Sequence, residues 1–203
     1  MAETMDDEIA FRGAGAGKAF ENIVLARLKK EAEGGNCHFG RYGVQAAVKG
    51  RQENGDVIAQ LMSSLPDIEG VLSPHGSQVI FDCKVMSDAS FNMSAYRSDT
   101  RGAKRRQLTH MYERSRVGVL CFFLIHMNKR VLKTRTEYER TIALPVCDNT
   151  MWDEFESGEW TTLSRTRIVE LGFNVVWDRT KREKKLRPDV LTAMLEMRKD
   201  RAG

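Results

Sequence analysis

The chain has 203 residues, of which 41% are hydrophobic and 30% charged, enough apolar material for one packed core and too much for broad disorder. No apolar run approaches the roughly 20 residues a membrane helix needs. The acidic opening with Glu3, Asp6, Asp7 and Glu8 carries the charge opposite to that of a secretory or transit peptide. Cys37, Cys83, Cys121 and Cys147 lie far apart with no CxxC pair, which argues against a zinc site and for reduced thiols in a cytoplasmic protein.

The net charge is +4, but the basic residues are clustered. Arg97, Arg101, Lys104, Arg105 and Arg106 form one run, and six more fall between Arg179 and Arg187. Runs of this kind suit a polyanion, because each neutralised phosphate releases counterions; the bland alternative is a solvated face.

In chain order, residues 1–14 read as a loose acidic arm. A helix is expected from Gly17 to Glu33, with Phe20, Ile23, Val24 and Leu28 on its apolar face and Gly34-Gly35 as its stop. Residues 36–65 are interrupted by glycines and made basic by Arg41, Lys49 and Arg51; they suggest an extended hairpin or arm with a short helix before Pro66. A short strand over Asp67–Leu72, a turn at Ser73–Gly76 and a strand over Gln78–Val85 follow. Next come a helix over Gly102–Ser115, a continuous apolar strand over Val117–His126 that reads as buried on both faces, and a strand within Lys133–Leu144. Asp148 can cap a helix over Met151–Glu156. Phe173–Trp177 reads as an edge strand, and Pro188 as the first residue of a last helix ending near Lys199. The pattern is α/β, a mixed central sheet flanked by helices. The expected organisation is an arm (1–14), a main domain (15–177, with 36–65 projecting) and a basic linker with a C-terminal helix (178–203).

The strand Gln78–Val85 carries the chemistry. Alternation puts Val79, Phe81, Cys83 and Val85 on one face and Ile80, Asp82 and Lys84 on the other. Fourteen residues, including a turn, separate Asp67 from Asp82, so an antiparallel pairing brings the two carboxylates together. Such a pair repels unless a cation sits between them, and hard oxygen ligands select Mg²⁺, with Mn²⁺ as a substitute. A lysine beside that ion can orient or deprotonate a water, or neutralise charge on phosphorus oxygens, which is equipment for phosphodiester hydrolysis. The bland alternative is an exposed Asp82–Lys84 ion pair. Glu21 borders the apolar stripe of the first helix, where a carboxylate is costly unless paired or metal-bound.

Two other readings are weaker. Gly13–Ala19 lacks the first glycine, the Ser/Thr after Lys18 and the preceding strand of a phosphate loop. His38, His75, His110 and His126 show no metal-ligand spacing, and Trp152, Trp160 and Trp177 read as core residues.

The run Pro66-Asp67-Ile68-Glu69-Gly70-Val71, then Phe81-Asp82-Cys83-Lys84, resembles the PD-(D/E)xK nucleases. Within that superfamily it is most similar to the RecU-type Holliday-junction resolvases, through Gly17-Lys18 and Glu21 before the motif, and Gln107-Leu108-Thr109-His110-Met111 and Gly118–Phe122 after it. The likeness spans roughly residues 13–146. It implies a restriction-endonuclease-like fold with a projecting basic stalk, here about Phe39 to Met62. It also implies a homodimer cutting four-way junctions in branched double-stranded DNA during recombination and repair, in a bacterial cell or phage-infected host. By that likeness Asp67, Asp82 and the backbone carbonyl of Cys83 hold the metal. Lys84 is the catalytic lysine, Glu21 an outer acid and Gln107 a supporting polar residue. Arg41, Lys49, Arg51, Arg101, Lys104, Arg105 and Arg106 are the expected DNA contacts. The chain departs from the closer relatives in having Asp for Glu at position 82 and Cys for Ala at position 83. The rival readings are a restriction-type or exonucleolytic enzyme of the same superfamily, a non-catalytic DNA-binding module on its fold, and an unrelated RNA-binding protein.

Overall fold

A computed structural model describes residues 11–41, 46–51, 57–61, 66–73, 76–97, 102–147, 151–157, 161–178 and 187–202, leaving aside the side chains of 46–51, 57–61, Ala95, Ala103 and Ala202. In chain order the elements are α1 (Ala16–Glu33), β1 (Cys37–Arg41), β2 (Ala46–Arg51), β3 (Val57–Leu61), β4 (Ile68–Leu72), β5 (Ser77–Met86), β6 (Ser90–Asn92), α2 (Ser94–Arg97) and α3 (Ala103–Arg116). There follow β7 (Leu120–Met127), β8 (Arg130–Val131), β9 (Thr136–Glu137), β10 (Arg140–Pro145), α4 (Met151–Ser157), β11 (Thr162–Ser164), α5 (Arg165–Leu171), β12 (Phe173–Val175), β13 (Trp177–Asp178), β14 (Arg187–Pro188) and α6 (Val190–Ala202).

Among the described residues, six strands form one sheet in the order β1-β4-β5-β7-β10-β12. Every neighbouring pair is antiparallel except β5 and β7, which run parallel. The mixed α/β expectation holds at that level. Joining two parallel strands requires a crossover, and residues 87–119 supply it with α2 and α3.

The sheet separates two apolar layers. Phe20, Val24 and Leu28 of α1 pack with Val79, Phe81 and Cys83 of β5 and with Val190, Met194 and Met197 of α6. On the other face, Leu108 and Met111 of α3 pack with Ile80 and Met86 of β5 and with Phe123 and Ile125 of β7. The alternation expected for β5 is therefore present. All eight residues of β7 are buried, as a strand covered on both faces requires. The Phe81 and Phe122 rings stack across the parallel pair at 4.7 Å with neither ring exposed. Burial of each is worth roughly 1.5–3 kcal/mol, so the strand that carries Asp82 and Lys84 rests on a stiff platform.

α1 ends where expected: Gly35 takes φ +76°, and the amides of Gly34 and Gly35 bond back to Glu31 and Ala32, a left-handed stop that glycine makes cheap. Gly70 serves close approach instead. A Cβ there would lie 2.3 Å from the His38 carbonyl oxygen and from the Phe39 ring, so its absence lets β1 lie flat against β4.

Several expectations need correction. Residues 37–41 form the edge strand β1, not part of an arm, and β2 and β3 make a separate two-stranded hairpin. No helix lies between β1 and Pro66 among the described residues, and 62–65 lie outside them. Pro188 is not the first residue of a helix: it pairs with Trp177 in β14, and Asp189 caps α6 through the amide and hydroxyl of Thr192. A side-chain acceptor at that point outranks proline as a helix start. α6 belongs to the core, as does Phe11, held by Asn128 through bonds to both its amide and its carbonyl. α2, α5 and the β6–β11 pair are short elements that the sequence pattern does not announce. Asp148 and the run 179–186 lie outside the described residues.

Candidate active site

The β4–β5 register pairs Ile68 with Phe81, so Asp67, one residue before β4, falls opposite Asp82. Its Oδ2 accepts the Cys83 amide at 2.9 Å. Asp82 is 1% exposed. Its Oδ1 accepts Gln107 Nε2 of α3 at 2.6 Å, and its Oδ2 meets the Lys84 ammonium. Three of the expected site residues thus converge on Asp82: Asp67 across the strand pair, Lys84 two residues along the same face, and Gln107 from the first turns of α3.

The electrostatics follow from this crowding. Burial pushes the Asp82 carboxyl from 3.8 to about 7, against the pull of Lys84 and with the help of Asp67. Burial opposes charge on Lys84 as well, but Asp82, with Tyr96 and Asp67 behind it, outweighs that and holds the ammonium above its usual range. The buried Asp82 Oδ2 relies on the Lys84 ammonium, with a second carboxylate, Asp67, close by. A desolvated carboxylate oxygen in that state is costly. It is also the kind of atom a hard divalent cation satisfies. Asp67, Asp82 and the Cys83 carbonyl suit such an ion in donor chemistry. Among the described residues no three His, Cys, Asp or Glu side chains are grouped closely enough to hold a metal by themselves.

Glu21 does not join the pair. It is 6% exposed on α1, with Lys18 Nζ 2.9 Å from its Oε2 and Arg41 against its Oε1. It stays in the neighbourhood: burial, then the charges of Asp67, Asp82 and Glu21, push the Cys83 thiol well above its ordinary range. The acids therefore approach position 83 from both sides of the sheet, with Cys83 itself in the α1 layer.

Of the expected DNA contacts, Arg41 is engaged with Glu21 and Asn22. Lys104 Nζ lies 5.9 Å from the Tyr96 ring, and the Arg105 guanidinium 5.7 Å from the Phe155 ring. With exposed Arg106, they stand within three residues of Gln107 at the start of α3. The side chains of Lys49 and Arg51, and all of Arg101, lie outside the described residues. His110 lies one helical turn beyond Gln107; burial and then Arg114 hold its pKa low. His126 is fully buried, 2.8 Å from the Thr141 hydroxyl, and Trp177 donates to that same hydroxyl at 2.7 Å, so both are structural as expected. Trp152 stacks on Tyr112 with ring centres 3.7 Å apart, and Trp160 lies outside the described residues.

The sequence reading missed an aromatic wall. Lys84 Nζ lies 5.9 Å from the Phe123 ring, and Tyr96, 3% exposed, meets Phe123 edge-on at 5.8 Å. Burial pushes the Tyr96 hydroxyl up to about 12, Lys84 opposing and Asp82 and Asp67 assisting, which places it in the field of the site. A single tyrosine in a four-residue helix carries no periodic signal that could have pointed to it. No protein-family model matches the chain, and no curated protein matches it.

Proposed function

We propose that this chain is a divalent-metal-dependent endodeoxyribonuclease that hydrolyses phosphodiester bonds in branched duplex DNA, with four-way junctions as its substrate class. The observation that carries the reading is the buried Asp82, faced by Asp67 across an antiparallel strand pair and held by Lys84 and Gln107. Asp67, Asp82 and the Cys83 carbonyl are the groups that would hold Mg²⁺ or Mn²⁺. When bound, the ion supplies Lewis-acid polarisation of a phosphate and a water acidified toward neutral pH.

The chain's own groups do the rest. Gln107 fixes the orientation of Asp82, as outer hydrogen bonds do for metal-ligating carboxylates. Lys84 is held as a cation by Asp82, so its role is to neutralise charge growing on the phosphate oxygens rather than to take a proton from water. The Phe123–Tyr96 wall keeps that ammonium in a poorly solvated slot, where its charge acts more strongly than in water. Lys104, Arg105 and Arg106 extend positive charge from the site along α3. The preference for branched DNA and the pairing of two protomers to cut opposing strands rest on the resemblance to the junction resolvases, and on the β2–β3 pair, which stands apart from the main sheet.

The test is cleavage of a mobile four-way junction, a fork and a linear duplex, with and without Mg²⁺. Junction cutting that needs Mg²⁺ and is lost in Asp82→Asn and Lys84→Ala is expected. Equal cutting of linear duplex would favour the restriction-type or exonucleolytic reading. Junction binding without cleavage in Mg²⁺ or Mn²⁺ would favour the non-catalytic one, and tighter binding of RNA than of branched DNA the RNA-binding one. Intact cleavage by either variant refutes the site.

A further inference from the structure

We infer that the cavity beside the β8–β9 hairpin is a pocket for one unstacked nucleotide of the DNA, with Tyr138 as its stacking platform and Arg140 as its phosphate contact. The inference deepens the branched-DNA reading above and rests on it.

The cavity measures about 330 Å³, at the lower end of the roughly 300–1,000 Å³ of ligand pockets. Its floor is apolar: Met127 belongs to the core layer on the face of Asp82 and Lys84, and Val169 packs against that layer. Two carboxylates stand in its wall, and the protein neutralises both. Glu137 has Arg135 at 2.8 Å, Arg130 at 3.3 Å and Arg165 at 3.6 Å, and Glu170 has Arg167 at 3.4 Å. The contacts of Glu137 also fasten the hairpin to the buried Arg165, so Tyr138, the next residue, leaves from a fixed point. Tyr138 is nonetheless 68% exposed at the edge of the cavity. Arg140 is exposed there as well, and no carboxylate among the described residues pairs with it. A ring that can take a base and a guanidinium that can take its phosphate are the two parts of a site for single-stranded nucleic acid.

The strand register sets the pocket's distance from the catalytic pair. Lys84 pairs with Ile125, Met86 with Met127, and Met127 with Arg140. Arg140 is therefore two residues along and two strands across from Lys84, about 12 Å between Cα atoms. Alternation puts it on the face of Ile142 and Leu144, which is the face of Asp82 and Lys84. That reach covers a few nucleotides of one strand, at about 3.4 Å of duplex axis each. Drawing a base out of an unbroken duplex costs stacking and pairing energy, and the cost is least where these are already interrupted. A pocket for one unstacked base at this distance from Lys84 therefore favours a branch point over plain duplex.

A cycle between protein and DNA tests this, by equilibrium binding of the full chain in EDTA. The DNA is a linear duplex or a four-way junction of fixed sequence, the junction either intact or with one abasic site placed at each nucleotide near the branch point in turn. Tyr138→Ala should weaken junction binding roughly 5- to 100-fold, the scale of one base stacked on an aromatic ring, and linear-duplex binding by less. At one position the abasic site should weaken wild type by a similar factor and Tyr138→Ala no further. Tyr138→Phe should keep that coupling, and Tyr138→Leu, which has bulk without a ring, should lose it. Arg140→Gln should weaken junction binding and lower the salt slope by about one phosphate's worth. If Tyr138→Ala weakens junction and linear duplex equally, or if every abasic site acts alike on wild type and variant, the inference is overturned. It is overturned too if free dAMP or dTMP, titrated by NMR, binds at micromolar concentration through Tyr138 while the junction shows no coupling, since the pocket then serves a free nucleotide. Failure of the nuclease reading looks different. Coupling at an abasic site by a chain that cuts no junction in Mg²⁺ supports the pocket and removes the active site. Cleavage that depends on Asp82, without coupling, overturns the pocket alone.

Discussion

Neutralising Asp82 should stabilise the metal-free protein at alkaline pH and leave it almost unaffected in acid. The folded chain raises this carboxyl from 3.8 to about 7, chiefly by burial. A group whose pKa is raised on folding binds its proton more tightly in the folded state. The stability linked to it is therefore complete below about pH 4 and is lost as pH rises through about 7. The interval corresponds to roughly 4 kcal/mol, a large share of the 5–15 kcal/mol typical of a domain. Asp82→Asn keeps the acceptor for Gln107 Nε2, offers an amide donor toward Asp67, and has no charge to desolvate. In urea unfolding with EDTA, the stability difference between variant and wild type should grow by up to roughly 4 kcal/mol between about pH 4 and pH 8. Saturating Mg²⁺ at the alkaline end should raise wild type and not the variant, because only the folded wild type binds the ion. A difference that stays flat or shrinks with pH would show that the buried charge is not strained, and the argument for a cation at Asp82 would go with it.

Two further substitutions bear on the supports of the site. Gln107→Ala removes the 2.6 Å donor to Asp82 and should weaken Mn²⁺ binding about 10- to 100-fold, as loss of a partner that orients a metal ligand does; an unchanged titration would reduce Gln107 to a packing residue. Gly70→Ala would put a methyl 2.3 Å from the His38 carbonyl and the Phe39 ring and should cost about 1–3 kcal/mol, and a loss below about 0.5 kcal/mol in urea unfolding would mean that β1 gives way easily.

The centre of the site was legible because β5 obeys a rule of period two. With Val79, Phe81 and Cys83 committed to the α1 layer, Asp82 and Lys84 had to face the other way, and a short connection between β4 and β5 had to oppose Asp67 to Asp82. Gln107 was legible only through family likeness, since nothing local in α3 says which of its polar residues turns inward. What was illegible depends on contacts between distant segments. Glu21 read as a carboxylate at a helix edge because Arg41, twenty residues on, neutralises it only once β1 docks beside α1. β1 itself is short and includes a glycine, so it read as part of an arm until its pairing with β4 made it an edge. The Asp189 cap outcompeted the proline signal beside it.

Two buried charges are compensated in different ways. Arg165 is 8% exposed and donates to the carbonyls of Asp88 and Asn128 at 3.0 and 2.7 Å and, at longer range, to Met86 and Ser87, with Glu137 3.6 Å away. It ties together the chain leaving β5 and β7, and its donors are satisfied by groups of the protein itself. Asp82 is buried still more deeply on β5, where its partners are the Lys84 ammonium and Gln107 Nε2, with a second carboxylate, Asp67, beside them. A fold able to satisfy Arg165 so fully could have placed an asparagine or leucine at position 82 at lower cost. On the proposed reading that cost is kept because the two carboxylates would hold a divalent ion, and the pH dependence of Asp82→Asn tests whether the buried charge is strained at all.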